Sequence, residues 1–599
     1  MYFCRPLSAN TKANSQKYDS VVKILNKKTV SMKKFFIFSI IIMLCGAVMA
    51  QNDEKHYDIH PKYTHEATPE ERMMIPYLSQ QAHLRDRQVP VGPVTAIAEF
   101  QTMSGVMISY PLGIPVTLVK ELSQVVPVKV LVNSNSDEND ASSYFSNNQV
   151  NMSNVEFWSI EHDSYWTRDY GPWFIIDGQD SVAVVDFIYN RVRPNDDSSM
   201  IQVAHNLNLT RYEMPMIHTG GNYMADGYGT AASTSLVEVE NPSETTASLM
   251  HIAQEYLGID NYILTIDPPG DYIAHIDCWG KFLDVDKVLI GQVQASDPHY
   301  NNYELVAQLF ANTVTPWGNH YQVYRVPIDL NAQYATPYSN SLILNDHVFV
   351  PITGNSHDEE AIAVYQQAMP GYTIVPIMQR NDIPWLNTDA LHCRTHELAD
   401  RGMLYLKHYP LLGSKSLSAP LNVSVTIKAL SGSNLVTDSL LVFYRINDGD
   451  WQSAPLAEMN VNEYGFDFTT LDLQNGDEVQ YYLFAKDESG RREKHPYIGA
   501  ADPHVFTING VGIENRGPAN VRVWPNPTDN LMFVQLDGGM EIANVALYDL
   551  QGRVVETCHG ASLQGATTML DVHNLPAGIY LLRLTDADGN EYHQKIIKK

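Results

Sequence analysis

Val106-Met107-Ile108-Ser109-Tyr110, then residues 115–126, then Val128-Lys129-Val130-Leu131-Val132 decide the fold class. The two flanking runs are short, apolar and rich in β-branched residues, which favours strands. The run between them has apolar residues at helical spacing behind Pro115, and proline suits a helix start. Strand, helix, strand in so short a span is the texture of an α/β domain. Further strands are predicted at 155–160, 182–188, 287–290, 323–326, 341–344 and 372–376. Residues 91–412 therefore read as one α/β domain; the alternation alone does not choose among α/β architectures.

Downstream the texture changes. Strands predicted at 423–427, 439–445, 464–468 and 478–485 are separated by Asn447-Asp448-Gly449 and Asn475-Gly476-Asp477 turns. This spacing predicts an immunoglobulin-like β-sandwich over 413–512. Residues 517–599 carry Val523-Trp524-Pro525-Asn526-Pro527, Val545-Ala546-Leu547-Tyr548-Asp549 and Leu575-Pro576-Ala577-Gly578-Ile579-Tyr580-Leu581, and predict a further small β-sandwich with a lysine-rich end. Upstream, Met32-Lys33-Lys34 and the apolar run to Met49 read as a secretory signal over 32–50, with cleavage after Ala50. The run is too short to span a bilayer comfortably, so no transmembrane segment is expected in the mature chain. Residues 1–31 have no place in such a signal and read as an upstream extension. Residues 51–90 are polar with little periodicity, a pro-segment or flexible arm that Arg85-Asp86-Arg87 offers for trimming.

Charge and cysteine count narrow the function. Residues 1–50 hold eight Lys and Arg and one Asp, so their removal takes the formal charge from −28 to −35. So acidic a chain argues against nucleic acid and for cationic ligands. Of five cysteines, Cys4 and Cys45 fall in the removed segment, leaving Cys278, Cys393 and Cys558. Three do not make a disulfide framework in an exported protein. A thiol kept outside the cytosol points to catalysis, and Cys393 lies in Leu391-His392-Cys393-Arg394-Thr395-His396-Glu397. Cys558 reads as structural.

Three other polar islands lie in the α/β domain: Trp166-Thr167-Arg168-Asp169, Thr219-Gly220-Gly221-Asn222-Tyr223 and His275-Ile276-Asp277-Cys278-Trp279-Gly280. Alone, Asp169 would be a cap and His275 a core histidine. Together they suit a planar guanidinium, which carboxylates hold in bidentate geometry. Asp169 and Asp277 would clamp it while the Cys393 thiolate approaches its central carbon. Strand alternation would turn His275 and Asp277 to one face, pairing an acid/base with a clamp. A cysteine protease built on Cys393, His275 and Asn340 leaves both aspartates without a shared purpose. An adhesin leaves all four islands without one.

With Asn340-Ser341-Leu342-Ile343-Leu344, these motifs resemble the Porphyromonas-type peptidylarginine deiminases, within the agmatine deiminase-like branch of the guanidino-modifying (pentein) enzymes. The resemblance runs from about Gly92 through the predicted sandwich and implies a five-fold pseudosymmetric β/α propeller. It implies Cys393 as nucleophile, His275 as general acid/base, Asp169 and Asp277 as guanidinium carboxylates and Asn340 as a polar site residue. Trp166 and Tyr223 are expected to contact substrate. In Tyr189-Asn190-Arg191-Val192-Arg193-Pro194, the resemblance makes Arg191 and Arg193 receptors for the α-carboxylate of a C-terminal arginine. The implied reaction converts arginine of peptides and proteins to citrulline and ammonia through a thiouronium on Cys393. An agmatine or free-arginine deiminase is the alternative. No metal or organic cofactor and no calcium are required, and a structural cation is allowed. The motifs of 517–599 resemble the C-terminal sorting domain of type IX secretion. That implies the type IX machinery as partner, and a product released or attached at the cell surface.

Overall fold

The computed structural model describes residues 63–64, 67–82, 88–509 and stretches of 521–599. The predicted signal, the upstream extension, the Arg85–Arg87 site and the Cys558 side chain lie outside the described residues. The chain divides into two units, Met1–Ile508 and Asn509–Lys599.

In the first unit, five small sheets repeat one plan: an inner strand runs antiparallel to a second, which a helical crossover joins to a parallel third. Trp173–Ile176, Val182–Tyr189 and Thr210–His218 form one such blade around the helix Pro194–Leu207. The next are Met224–Ala225, Thr230–Thr234 and Asn261–Thr265, then Gly280–Asp284, Lys287–Gln292 and Gln322–Pro327, then Leu342–Leu344, His347–Ile352 and Thr373–Met378. The fifth closes the ring: His396–Ala399 pairs antiparallel with Met103–Tyr110, which runs parallel to Val128–Val132 and on to Val155–Ser159. The stretch 106–132 thus folds as its pattern predicts, with Val116–Val125 as the helix. Leu118, Val119 and Leu122 recur on one side of that helix and are buried in the same apolar core as Val128, Val130 and Ile108. Pseudo-five-fold repetition is in the strand pairing itself. Among the described residues no helix is long and apolar enough to cross a membrane.

A two-sheet β-sandwich follows, with Leu421, Val425, Val442, Phe468, Tyr481 and Phe506 in its core. It begins earlier than residue 413. Leu404–His408, placed in the α/β domain by sequence, is a sandwich strand paired with Asn422–Ala429. Only four residues separate it from the last blade strand, His396–Ala399, so no change of texture marks the boundary. The second unit is a small β structure of two sheets, built on Val521–Trp524, Leu531–Leu536 and Thr568–Asp571 and on Ile542–Tyr548, Val554–Cys558, Gly578–Asp586 and Glu591–Lys598.

The arm 51–90 differs from expectation as well. Pro69–Ala82 is a helix. Thr68-Pro69-Glu70-Glu71 holds its start: the Thr68 N–H donates to Oε2 of Glu71 at 2.8 Å and the Glu71 N–H to the Thr68 hydroxyl at 3.2 Å. This capping box, with proline in the first turn, was a legible signal.

Candidate active site

Each blade is entered through a tight turn just before its inner strand. The turns are Thr167–Tyr170, Gly220–Asn222, Ile276–Cys278, residues 338–340 and His392–Arg394. Thr167–Tyr170 touches Gly220–Asn222 on one side and His392–Arg394 on the other, and Gly220–Asn222 touches Ile276–Cys278. Asn340 links the remaining two, so the five turns close a hub and every polar island lands in it.

Gly221 marks the point of convergence. A Cβ there would sit 2.7 Å from Nδ1 of His275, 2.8 Å from Oδ1 of Asp169 and 3.3 Å from Oδ1 of Asp277. Only glycine lets two carboxylates and an imidazole approach one backbone point so closely. Nδ1 of His275 and Oδ1 of Asp169 are 3.6 Å apart. Cys393 is tied in through Asn340, whose Nδ2 donates towards the sulfur at 3.2 Å and towards the Asp277 carbonyl at 3.4 Å. Oδ1 of Asn340 accepts from the N–H groups of His392 at 2.9 Å and Cys393 at 3.2 Å. The sulfur lies 3.7 Å from Oδ2 of Asp277. All of these side chains are buried, and even Asp169 is only 8% exposed. The strand alternation expected for His275 and Asp277 is not the device that joins them. His275 is extended, while Asp277 lies in a 3-10 turn that swings its carboxylate back beside the imidazole.

The two carboxylates are set apart electrostatically. Burial, and then the Asp277 charge, push the Asp169 carboxyl well above the usual range. Burial pushes Asp277 up too, but the hydrogen bond and charge of His392 outweigh it and leave that carboxyl below its usual value. Burial and both aspartates push the Cys393 thiol well up. Both shifts favour the protonated forms, a thiol on Cys393 and a carboxylic acid on Asp169.

His392, next to Cys393 in sequence, also reaches the hub's carboxylates. Its Nδ1 lies 2.7 Å from Oδ2 of Asp277 and its Nε2 3.0 Å from Oε2 of Glu99. Each ring nitrogen of His392 thus faces a carboxylate. Lys281 completes the chain, 2.7 Å from the same Glu99 oxygen, and burial of Glu99 is offset by Lys281 and His392 so that its carboxyl ends well below the usual range. Glu99 and Lys281 were missed. The available signal was a lone charge inside each of two apolar runs, Ala98-Glu99-Phe100 and Gly280-Lys281-Phe282. Arg168 and Glu397 form a buried ion pair, with Nη1 donating to Oε1 at 3.1 Å. The opening motif is otherwise scaffold: Arg394 is held by Asp389 at 2.9 and 2.8 Å between the rings of Tyr165 and Trp385.

The residues expected to contact substrate divide. Arg191 is buried, donates to the Asn190 carbonyl at 3.3 Å, and its charge draws the Asp169 carboxyl downward. Arg193 lies over the Trp166 ring at 5.0 Å, but it already has a carboxylate: its Nε donates to Oε1 of Glu71 at 2.8 Å. Tyr223 stands apart from both, stacked on Trp173 with ring centroids 4.0 Å apart. It lines an internal cavity with Asp277, His392 and Arg168. Its buried hydroxyl makes no hydrogen bond.

Residues 114–398 match the family model of Porphyromonas-type peptidyl-arginine deiminase, and residues 522–599 that of the secretion system C-terminal sorting domain. The tail indicates secretion or attachment at the cell surface. The agmatine deiminase of Pseudomonas putida is 24% identical over 324 residues, covering 47% of this chain and 85% of that protein. Among solved structures, the agmatine deiminase of Enterococcus faecalis is 19% identical with a TM-score of 0.47, covering 53% of this chain and 100% of that one. The C. jejuni agmatine deiminase is 20% identical with a TM-score of 0.44, covering 51% and 96%.

Proposed function

We propose that this chain, whose residues 114–398 match the Porphyromonas-type peptidyl-arginine deiminase model and resemble agmatine deiminases, is a guanidino-group deiminase that acts on arginine of peptides and proteins, with preference for a C-terminal arginine. The single observation that carries the chemistry is the meeting of Asp169, Asp277 and His275 around Gly221, with the Cys393 sulfur 3.7 Å from Asp277. Two carboxylates bind the guanidinium edge to edge, and its charge makes the thiolate accessible against them. The Cys393 thiol gives its proton to solvent, and the thiolate adds to the guanidinium carbon. His275 protonates one nitrogen, which leaves as ammonia, and a thiouronium on Cys393 remains. His275 then takes a proton from water, the resulting hydroxide adds to the same carbon, and collapse passes the hydroxyl proton to the departing sulfur, leaving citrulline and the Cys393 thiol. Asn340 fixes the sulfur throughout. Only side chains and water enter this scheme. The sandwich after the propeller is read as an immunoglobulin-like domain that carries no part of the chemistry.

Support for a peptide carboxylate comes from Arg191 and Arg193, two buried cations whose charges reach Asp169 and which an agmatine amine would meet unfavourably. The second reading is favoured by the agmatine deiminases among the relatives. Four substrates decide between them: a peptide ending in arginine, the same peptide amidated, the same arginine placed internally, and agmatine. The reading predicts kcat/KM for the free acid at least roughly tenfold above each of the others, the worth of one charged hydrogen bond. Equal rates for acid and amide, or faster agmatine turnover, would overturn it.

A further inference from the structure

The Glu71–Arg193 contact is unlike a surface ion pair. Arg193 is 1% exposed and Glu71 6%. Nη2 of Arg193 also donates to the Thr64 carbonyl at 2.6 Å, and the guanidinium lies between the rings of Tyr63 and Trp166, each 5.0 Å away. A carboxylate, a carbonyl and an aromatic lid thus surround the arginine as a bound peptide end would. All three come from residues 63–71, outside the five-bladed ring. Glu71 works in two directions at once: Oε2 accepts from the Thr68 N–H and caps the helix, while Oε1 accepts from Arg193. Leu78 packs on Ile188 and Ile217, and Met73 and Tyr77 point outward, 72% and 50% exposed. A helix of 14 residues holds its shape in water only weakly without tertiary support.

We propose that the segment 63–82 is a built-in occupant of the substrate-carboxylate site, which holds the chain latent until Glu71 is displaced from Arg193 or the segment is removed. The proposal rests on Arg193 receiving the substrate carboxylate, as argued under the proposed function. Two carboxylates cannot share one arginine fork buried to this degree. Substrate binding must therefore break the Glu71 contact, and the apparent affinity falls by the fraction of molecules in which the site is open. Arginine-ended peptides compete with the segment. Ligands without a carboxylate do not.

The test uses the chain from Gln51 onward, its Glu71→Gln variant, and a chain starting at Val89. Glutamine keeps the capping hydrogen bond and loses the charge; Glu70→Gln, one residue away, is the control. For a peptide ending in arginine, Glu71→Gln and the shortened chain should show KM lowered at least roughly tenfold with kcat within about twofold, and Glu70→Gln should match the parent. Amidated peptide should show the same KM in all four proteins. An independent readout is hydrogen exchange over 63–82 in the Cys393→Ala chain, where arginine-ended peptide should remove protection and amidated peptide should not. Turnover of the free acid with unchanged KM in every form, or exchange unmoved by saturating peptide, overturns the latency and leaves the substrate reading standing. No preference for acid over amide in the shortened chain overturns the substrate reading, and the latency with it.

Discussion

Asp169 and Asp277 show how two identical side chains take different roles. Asp277 has a ring nitrogen of His392 2.7 Å away and its carboxyl is held below the usual value; Asp169 has no ring nitrogen that close, and burial pushes its carboxyl up. A carboxyl whose value is raised in the empty site keeps its proton to higher pH. A guanidinium binds only the ionised form, so protons and substrate compete there. As pH falls through the raised Asp169 value, KM should climb while kcat at saturation changes less. Asp169→Asn should remove this dependence and raise KM by roughly a hundredfold, as loss of one side of a buried charge pair implies. Steady-state KM between pH 5 and 8 in both proteins reads this directly; a flat KM in the parent would contradict the assignment. At this scale the sequence was most informative. Cys393, His275, Asp169, Asp277 and Asn340 could be named from their polar islands because each island is dense enough to stand out from an apolar background. Glu99, Lys281 and Glu71 were not named with them, because the partner of each lies far along the chain: Glu99 meets Lys281 and His392, and Glu71 meets Arg193.

Short elements, not the strands, place the chemistry. The strands of 106–132 were legible from composition because their apolar runs are buried on both faces, as parallel strands between helices are. The hub turns were not, since three- and four-residue turns carry no periodicity. The expected alternation of His275 and Asp277 failed for that reason. Gly221 is the element-scale test. Gly221→Ala puts a methyl 2.7 Å from His275 and 2.8 Å from Asp169, so both must move. A displacement of about 1 Å in a positioned site costs on the order of a hundredfold in rate. The variant should melt near the parent temperature and lose roughly that factor in kcat/KM. Full activity would show that the three side chains do not act around Gly221.

For the whole molecule, the ring depends on its last strand. His396–Ala399 joins the first blade strand, Met103–Tyr110, and in doing so brings Cys393 beside a turn more than two hundred residues upstream. The sequence alone showed only alternating elements; five-fold repetition followed from resemblance, because the blades share pairing and not residues. The propeller and sandwich meet through Tyr228, whose hydroxyl donates to the His408 carbonyl at 3.0 Å, accepts from its N–H at 3.1 Å and lies 2.6 Å from Nε2 of His495. Tyr228→Phe leaves those buried groups without a partner and should cost about 1–3 kcal/mol of stability, seen as a lower melting temperature, with kcat/KM at 25 °C unchanged. An equal loss of activity would mean that the sandwich acts on the hub.

The central claim is a covalent intermediate on Cys393. Acid quenching during steady-state turnover of an arginine-ended peptide, followed by mass spectrometry of the digested protein, tests it most directly. The account predicts an adduct on Cys393 equal to the peptide less ammonia, present during turnover, gone when substrate is exhausted, and absent from Cys393→Ser. Citrulline accumulating while Cys393 stays unmodified, or an adduct on Cys278 instead, would contradict it.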